Sequence, residues 1–168
     1  MALKEFRPLT PSLRYTLLRD FSELTPDSKP EKKLLEIKRR TGGRNAHGRM
    51  TSRHRGGGHK KKFRIIEWNR RKRTGAGTVL GIQYDPNRSA RLALVEYGPK
   101  DRAYILAPDG LKAGAKVVAG PSVAAEVGNA LPLRAIPQGL PLHNIEMVPG
   151  RGAQIVRSSG TAAICTAI

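Results

Sequence analysis

TVLGIQYDPNRSARLALVEYGPKDRAYILAP, residues 78–108, holds three short runs rich in β-branched, aliphatic and aromatic side chains. Such residues suit a pleated, partly buried surface. Asp85-Pro86-Asn87-Arg88-Ser89 separates the first two runs as a turn, with Pro86 pre-setting φ and Asp and Asn favouring turn geometry. In ARLALVEY (90–97), alternation puts Leu92 and Leu94 on one face and Arg91, Ala93, Val95 and Tyr97 on the other. Outward from this stretch, FRIIEW (63–68) precedes it, while Asp109-Gly110 and KVVAGP (116–121) follow. Five strands at this spacing predict a small closed or partly open barrel over residues 63–126.

From about Val127 the rhythm restarts in NALPLRAIP (129–137), LHNIEMV (142–148), AQIV (153–156) and AAICTAI (162–168), divided by glycines and prolines. This reads as a second set of short strands over 127–168, too few to close a barrel. The apolar AAICTAI would present an unpaired edge. Upstream, Pro8, Pro11, Pro26 and Pro30 break any long helix. Ser28 and Glu31 stand at capping-box spacing before EKKLLEIKRR (31–40), which leaves a short helix and an extended arm with a helical turn as alternatives.

Charge divides the chain in the same way. The formal net charge is +18, with 22 Lys/Arg against 7 Asp/Glu in residues 1–75 and 9 against 6 in residues 76–168. Between Lys38 and Arg73 there are 15 Lys/Arg, one acid (Glu67), six glycines and no proline. No core buries so many like charges without partners, and no apolar period appears before Phe63. A basic arm over 1–62 with little fold of its own therefore needs a polyanion, and a phosphate backbone is the most economical. A solvated tail that binds nothing specific is the competing reading.

The motifs TGGRNAHGRMTSRHRGGGHKKKFRIIEW, YDPNRSARLALVEY, YILAPDGL, GNALPLRAIP and LHNIEMVPGRGAQIVRSSGT resemble, in order, the bacterial type of ribosomal protein L-two. The resemblance runs from about Phe6 to Thr161. It implies a mainly β protein: an extended basic arm, an OB-fold barrel (63–126) and an SH3-like barrel left incomplete at 127–168. It also implies large-subunit rRNA and neighbouring ribosomal proteins as partners, and support for subunit joining and peptidyl transfer. The family continues past the position of Thr161 with further strands and a basic extension carrying a histidine. Those have no counterpart here, so no peptidyl-transfer role is carried over. Two expectations follow: a truncated chain, or a second chain that completes the C-terminal barrel. The expected place is a cytoplasmic ribosome, with an organellar one left open.

The residues expected to face RNA are Arg44, Arg49, Arg53, Arg55, Gly57, Gly58, His59, Lys60, Lys61 and Lys62 in the arm. Arg64, Arg70, Arg71, Lys72 and Arg73 join them around the first barrel strand, Arg88 and Arg91 around the turn, and Arg151 and Arg157 in the last matching motif. Arginine offers a planar fork for phosphate oxygens, and glycine lets the backbone approach closely. His143 and Asn144 either touch RNA or close a strand. One Trp, four Tyr and three Phe are few for stacking successive bases, so shape and backbone recognition is expected, with Trp68 and Tyr84 as core or rim residues.

Catalysis has little support. Gly56-Gly57-Gly58-His59-Lys60-Lys61-Lys62 lacks phosphate-loop spacing. His47, His54, His59, His143 and Cys165 form no zinc pattern, and Cys165 in a terminal apolar run is a poor nucleophile site. No cofactor is implied. One cysteine excludes an internal disulfide, and no apolar run reaches signal-peptide or membrane-spanning length. An RNA-modifying enzyme with a basic tail and a DNA-architectural protein remain as alternatives from other classes.

Overall fold

A computed structural model describes residues 3–73 and 75–166. The protein is mainly β, and its helical pieces among the described residues are three single 3₁₀ turns. Strands β1 (Leu3–Lys4) and β2 (Leu18–Arg19) form one ribbon, and β3 (Leu35–Ile37) pairs with β4 (Lys62–Arg64). Strands β5 (Gly77–Gln83), β6 (Leu92–Gly98), β7 (Asp101–Leu106) and β8 (Lys116–Val117) make an antiparallel sheet in the order β7-β6-β5-β8. Finally, β9 (Pro141–Leu142) pairs with β10 (Ala163–Ile164).

The alternation read in ARLALVEY is the organising feature of this sheet. Ala93 and Val95 pack with Val79, Ile105, Leu111 and Val117 on one side. Leu92 and Leu94 pack with Ile66, Tyr104 and Leu106 on the other. Both faces of β6 are thus buried, and each enclosed aliphatic side chain contributes about 1.5–3 kcal/mol. The sheet curls as a small barrel does. A register shift interrupts β5 between Val79 and Gly81, and Ile66 bridges to Tyr104 beyond β4, where the Glu67 N–H donates to the Tyr104 carbonyl at 2.8 Å.

The helix alternative for residues 31–40 does not form. A single 3₁₀ turn, Lys32–Leu34, leads into β3, and Glu31 supplies no side-chain cap. Ser28, the expected capping residue, instead accepts from Gln83 Nε2 at 2.7 Å. Residues 25–31 lie as a strap over the sheet. Thr25 Oγ1 accepts from the Ile82 N–H (2.9 Å), and the Tyr104 hydroxyl accepts from the Glu31 N–H (3.0 Å) while donating to Gln83 Oε1 (2.8 Å). That network explains a tyrosine with 0% exposure: its polar end is satisfied by the strap.

Three further expectations change. Residues 129–137 are not a strand; Ala130 makes one bridge to Ala119 and Leu133–Ala135 is a 3₁₀ turn after Pro132. The expected unpaired edge is kept in part: Ala163–Ile164 pairs on one side with β9, Ala163 opposite Leu142. Its other side has no strand partner among the described residues, while Ala167 and Ile168 lie outside them. And the arm has local structure of its own, described next.

Candidate nucleic-acid interface

The arm folds back on itself. Asn45 N–H donates to Arg49 O (2.9 Å), Gly48 N–H to Asn45 O (3.0 Å), and Thr51 and Ser52 N–H groups both reach Gly43 O. Arg49 N–H also finds Asn45 Oδ1 at 3.0 Å. The result is a small hairpin over 43–52. Gly43 is required there: its φ is +75°, and an added Cβ would lie 2.1 Å from the Ser52 carbonyl oxygen. Arg44, Arg49, Arg53, Arg55, Gly57, Gly58, His59, Lys60, Lys61 and Lys62 are all exposed along this arm.

The arm's root is fastened by the 85–88 turn. Asp85 Oδ1 accepts from Arg64 Nη1 (3.2 Å), from the Asn87 N–H (3.0 Å) and from Asn87 Nδ2 (2.9 Å), while Oδ2 accepts from Arg88 Nε (2.7 Å). Asn87 Nδ2 also donates to Lys62 O (2.7 Å) and Lys61 Nζ to Pro86 O (3.1 Å). The turn chemistry read in the sequence therefore also serves as a clamp. Burial pushes the Asp85 carboxyl up, but the hydrogen bonds from Arg88 and Asn87 outweigh it and hold its pKa below the usual carboxylate value.

The expected RNA-facing residues fall into two groups by position. Arg71, Lys72, Arg151 and Arg157 are exposed like the arm cations. Arg64 and Arg91 are turned inward, each 7% exposed. Arg91 Nη2 donates to Asp20 O (3.2 Å), and its guanidinium lies over Phe21 and Tyr84. Arg73 pairs with Glu67 and Asp101, which raise its pKa, the Asp101 hydrogen bond most. Arg70 donates to Gly128 O at 3.4 Å, and Arg88 sits between the clamp and the Trp68 and Phe63 rings. These half-buried arginines hold loops in place and keep part of their surface exposed.

Trp68 joins the two halves of the chain. Its carbonyl accepts from the Ala153 N–H (3.2 Å), Arg157 lies 4.6 Å from its ring centroid, and Asn69 Nδ2 donates to Gly150 O (2.6 Å). Asn144 closes the neighbouring hairpin, donating its N–H to Val156 O at 2.9 Å with a φ of 58°. Burial around the His143 ring, assisted by Arg70, lowers its pKa, so it adds no charge to this surface at neutral pH. No group of three His, Cys, Asp or Glu among the described residues is placed to hold a metal ion. No helix among them is long and apolar enough to cross a membrane.

Lys38, Arg39 and Arg40 extend the exposed basic surface beyond the expected set. Arg40 Nη1 reaches across to Gly57 O at 2.7 Å. Their signal was present as the start of the basic run.

Residues 31–119 match the family model described as Ribosomal Proteins L2, RNA binding N-terminal domain, and residues 126–167 match Ribosomal Proteins L2, C-terminal domain. The chain belongs to the ribosomal protein L2 family. Among its relatives, large ribosomal subunit protein uL2 of Methylacidiphilum infernorum is 53% identical over 163 residues, covering 97% of this chain and 57% of that protein. Large ribosomal subunit protein uL2 of Akkermansia muciniphila is 50% identical over 164 residues, covering 98% and 59%. The chain thus spans somewhat more than half the length of these L2 relatives. The match to the L2 N-terminal domain begins at Glu31, so it takes in β3, the partner of the first barrel strand.

Proposed function

We propose that this chain is a non-enzymatic, structural constituent of the large ribosomal subunit that binds and organises its rRNA, beside neighbouring ribosomal proteins. The observation that carries the reading is the joining of an exposed cationic arm to a β domain through the Asp85 clamp, within a chain that matches the L2 RNA-binding domain. The arm supplies phosphate-neutralising charge. The curled sheet, read as an OB-type barrel over 63–126, gives that charge a fixed point of departure. Residues 127–168 are read as part of an SH3-like barrel, seated on Trp68. Among the described residues β9 and β10 pair only with each other, which supports further strands meeting this end from the rest of a longer protein or from a second chain. The ribosome of the bacterial cytoplasm is the expected place.

Competition binding tests the reading. Folded large-subunit rRNA should displace a labelled rRNA fragment far better than duplex DNA of equal phosphate concentration. Equal displacement by DNA would favour a general architectural role. The affinity should also fall steeply with salt: for ~6–10 phosphate contacts, log K against log salt slopes by about −0.7 to −0.9 per contact.

A further inference from the structure

We infer that the cleft between residues 17–21 and the 84–89 turn seats one unstacked RNA base. The cleft has a volume of about 680 Å³; Leu18, Phe21, Tyr84 and Pro86 line it, together with Arg19 and Arg88. Leu18 is 53% exposed, Phe21 51% and Tyr84 41%. Apolar surface gathered in a concave site in this way marks a place where something binds.

Charge and ring geometry identify the occupant. Two arginines and no Asp or Glu line the cleft, so its partner is anionic. Arg88 gives its Nε to Asp85, and among the described residues its other N–H groups have no hydrogen-bond partner. Phe21 and Tyr84 meet edge to face at 5.6 Å and 82°. Arg91 lies over both rings, at 5.1 and 5.6 Å from their centroids, and is itself buried and tied to Asp20 O. One side of the ring pair is thereby filled and fixed, and the exposed part of Tyr84 borders the cleft. A fixed aromatic plate flanked by guanidinium groups stacks a splayed base and holds its phosphate. The arm tracks RNA by charge, whereas this cleft takes a single nucleotide by its π-face.

This inference rests on the rRNA-binding reading, and the test separates the two. The 168-residue chain is titrated with a large-subunit rRNA transcript, in wild-type form and as Tyr84→Ala and Tyr84→Phe. Loss of one stacked base should weaken binding roughly tenfold in Tyr84→Ala. Tyr84→Phe, which keeps the ring, should bind like wild type. Ultraviolet crosslinking of the wild-type complex should join a nucleotide to Tyr84 or Phe21, a readout that survives if Tyr84→Ala fails to fold. Wild-type affinity in a folded Tyr84→Ala, or crosslinks that join the transcript to the arm but not to Tyr84 or Phe21, overturns the cleft assignment and leaves the rRNA reading intact. Absence of transcript binding by the wild-type chain overturns both.

Discussion

Arg64 and Asp85 form an ion pair at 3.2 Å inside the barrel, with side chains 9% and 0% exposed. A buried pair of this kind recovers its desolvation cost only when its remaining groups are hydrogen-bonded. Asp85 meets that condition through Arg88 and Asn87, whereas the buried Arg64 Nε has no hydrogen-bond partner among the described residues. Removing the carboxylate by Asp85→Ala leaves Arg64 charged, buried and without its partner. The expected loss is about 3–5 kcal/mol of stability, read from urea denaturation midpoints. A loss below 1 kcal/mol would show that the clamp is peripheral.

Acid should reveal the same residue. The Asp85 pKa is lower in the folded chain than in the unfolded one. Its contribution is therefore fully present above the unfolded carboxyl value, about 3.9, and is lost as pH falls through the folded value. Thermal midpoints should decline below about pH 4, and Asp85→Asn should flatten that decline.

Tyr104→Phe removes one oxygen from the core and strands two partners, the Glu31 N–H and Gln83 Oε1. Leaving such groups unsatisfied costs about 1–3 kcal/mol. The denaturation midpoint should drop with an unchanged slope. Amide exchange should quicken first in residues 28–31, where the strap is tied.

Replacing Arg53, Arg55, Lys60 and Lys61 with Ala should lessen the slope of log K against log salt by roughly 3, the share of four phosphate contacts. All four side chains are exposed, so the circular-dichroism signal of the β domain should be unchanged. Unfolding of that domain in the variant would show that the arm and barrel depend on each other.

Gly43→Ala should open the arm hairpin, since its Cβ has no room beside the Ser52 carbonyl and its φ is positive. Limited proteolysis should cut faster within residues 43–52, with the thermal midpoint of the barrel unmoved.

Much of the barrel was legible because its signals are local. The alternation of Leu92 to Tyr97 foretold which side chains share a face, though not that both faces are buried, and Pro86 with Asp85 and Asn87 foretold a turn. What escaped depends on partners far along the chain. Arg64 and Arg91 read as RNA contacts because nothing near them in sequence shows Asp85 or the Asp20 carbonyl waiting for them. Ser28 read as a helix cap because its competitor, Gln83, lies 55 residues away. Residues 31–40 read equally as a short helix or as an extended arm with a helical turn, and the ladder that Lys62–Arg64 offers Leu35–Ile37 decides for the second. The 43–52 hairpin was hidden for another reason: it is held by backbone bonds and glycine geometry, with no apolar pattern to betray it.

That hairpin changes the thermodynamics of docking. Ordering a free backbone costs about 1–2 kcal/mol per residue, and a fully unstructured arm would incur this on meeting RNA. Residues 43–52 have met much of it already on folding, through bonds made within the arm. The entropy still to be lost on binding is concentrated in the stretch between Ser52 and the Lys62 anchor, where Arg53, Arg55, Lys60 and Lys61 sit. The cations between Ser52 and Lys62 thus sit on a short span between two points already folded before docking, and search for phosphates over a correspondingly small volume.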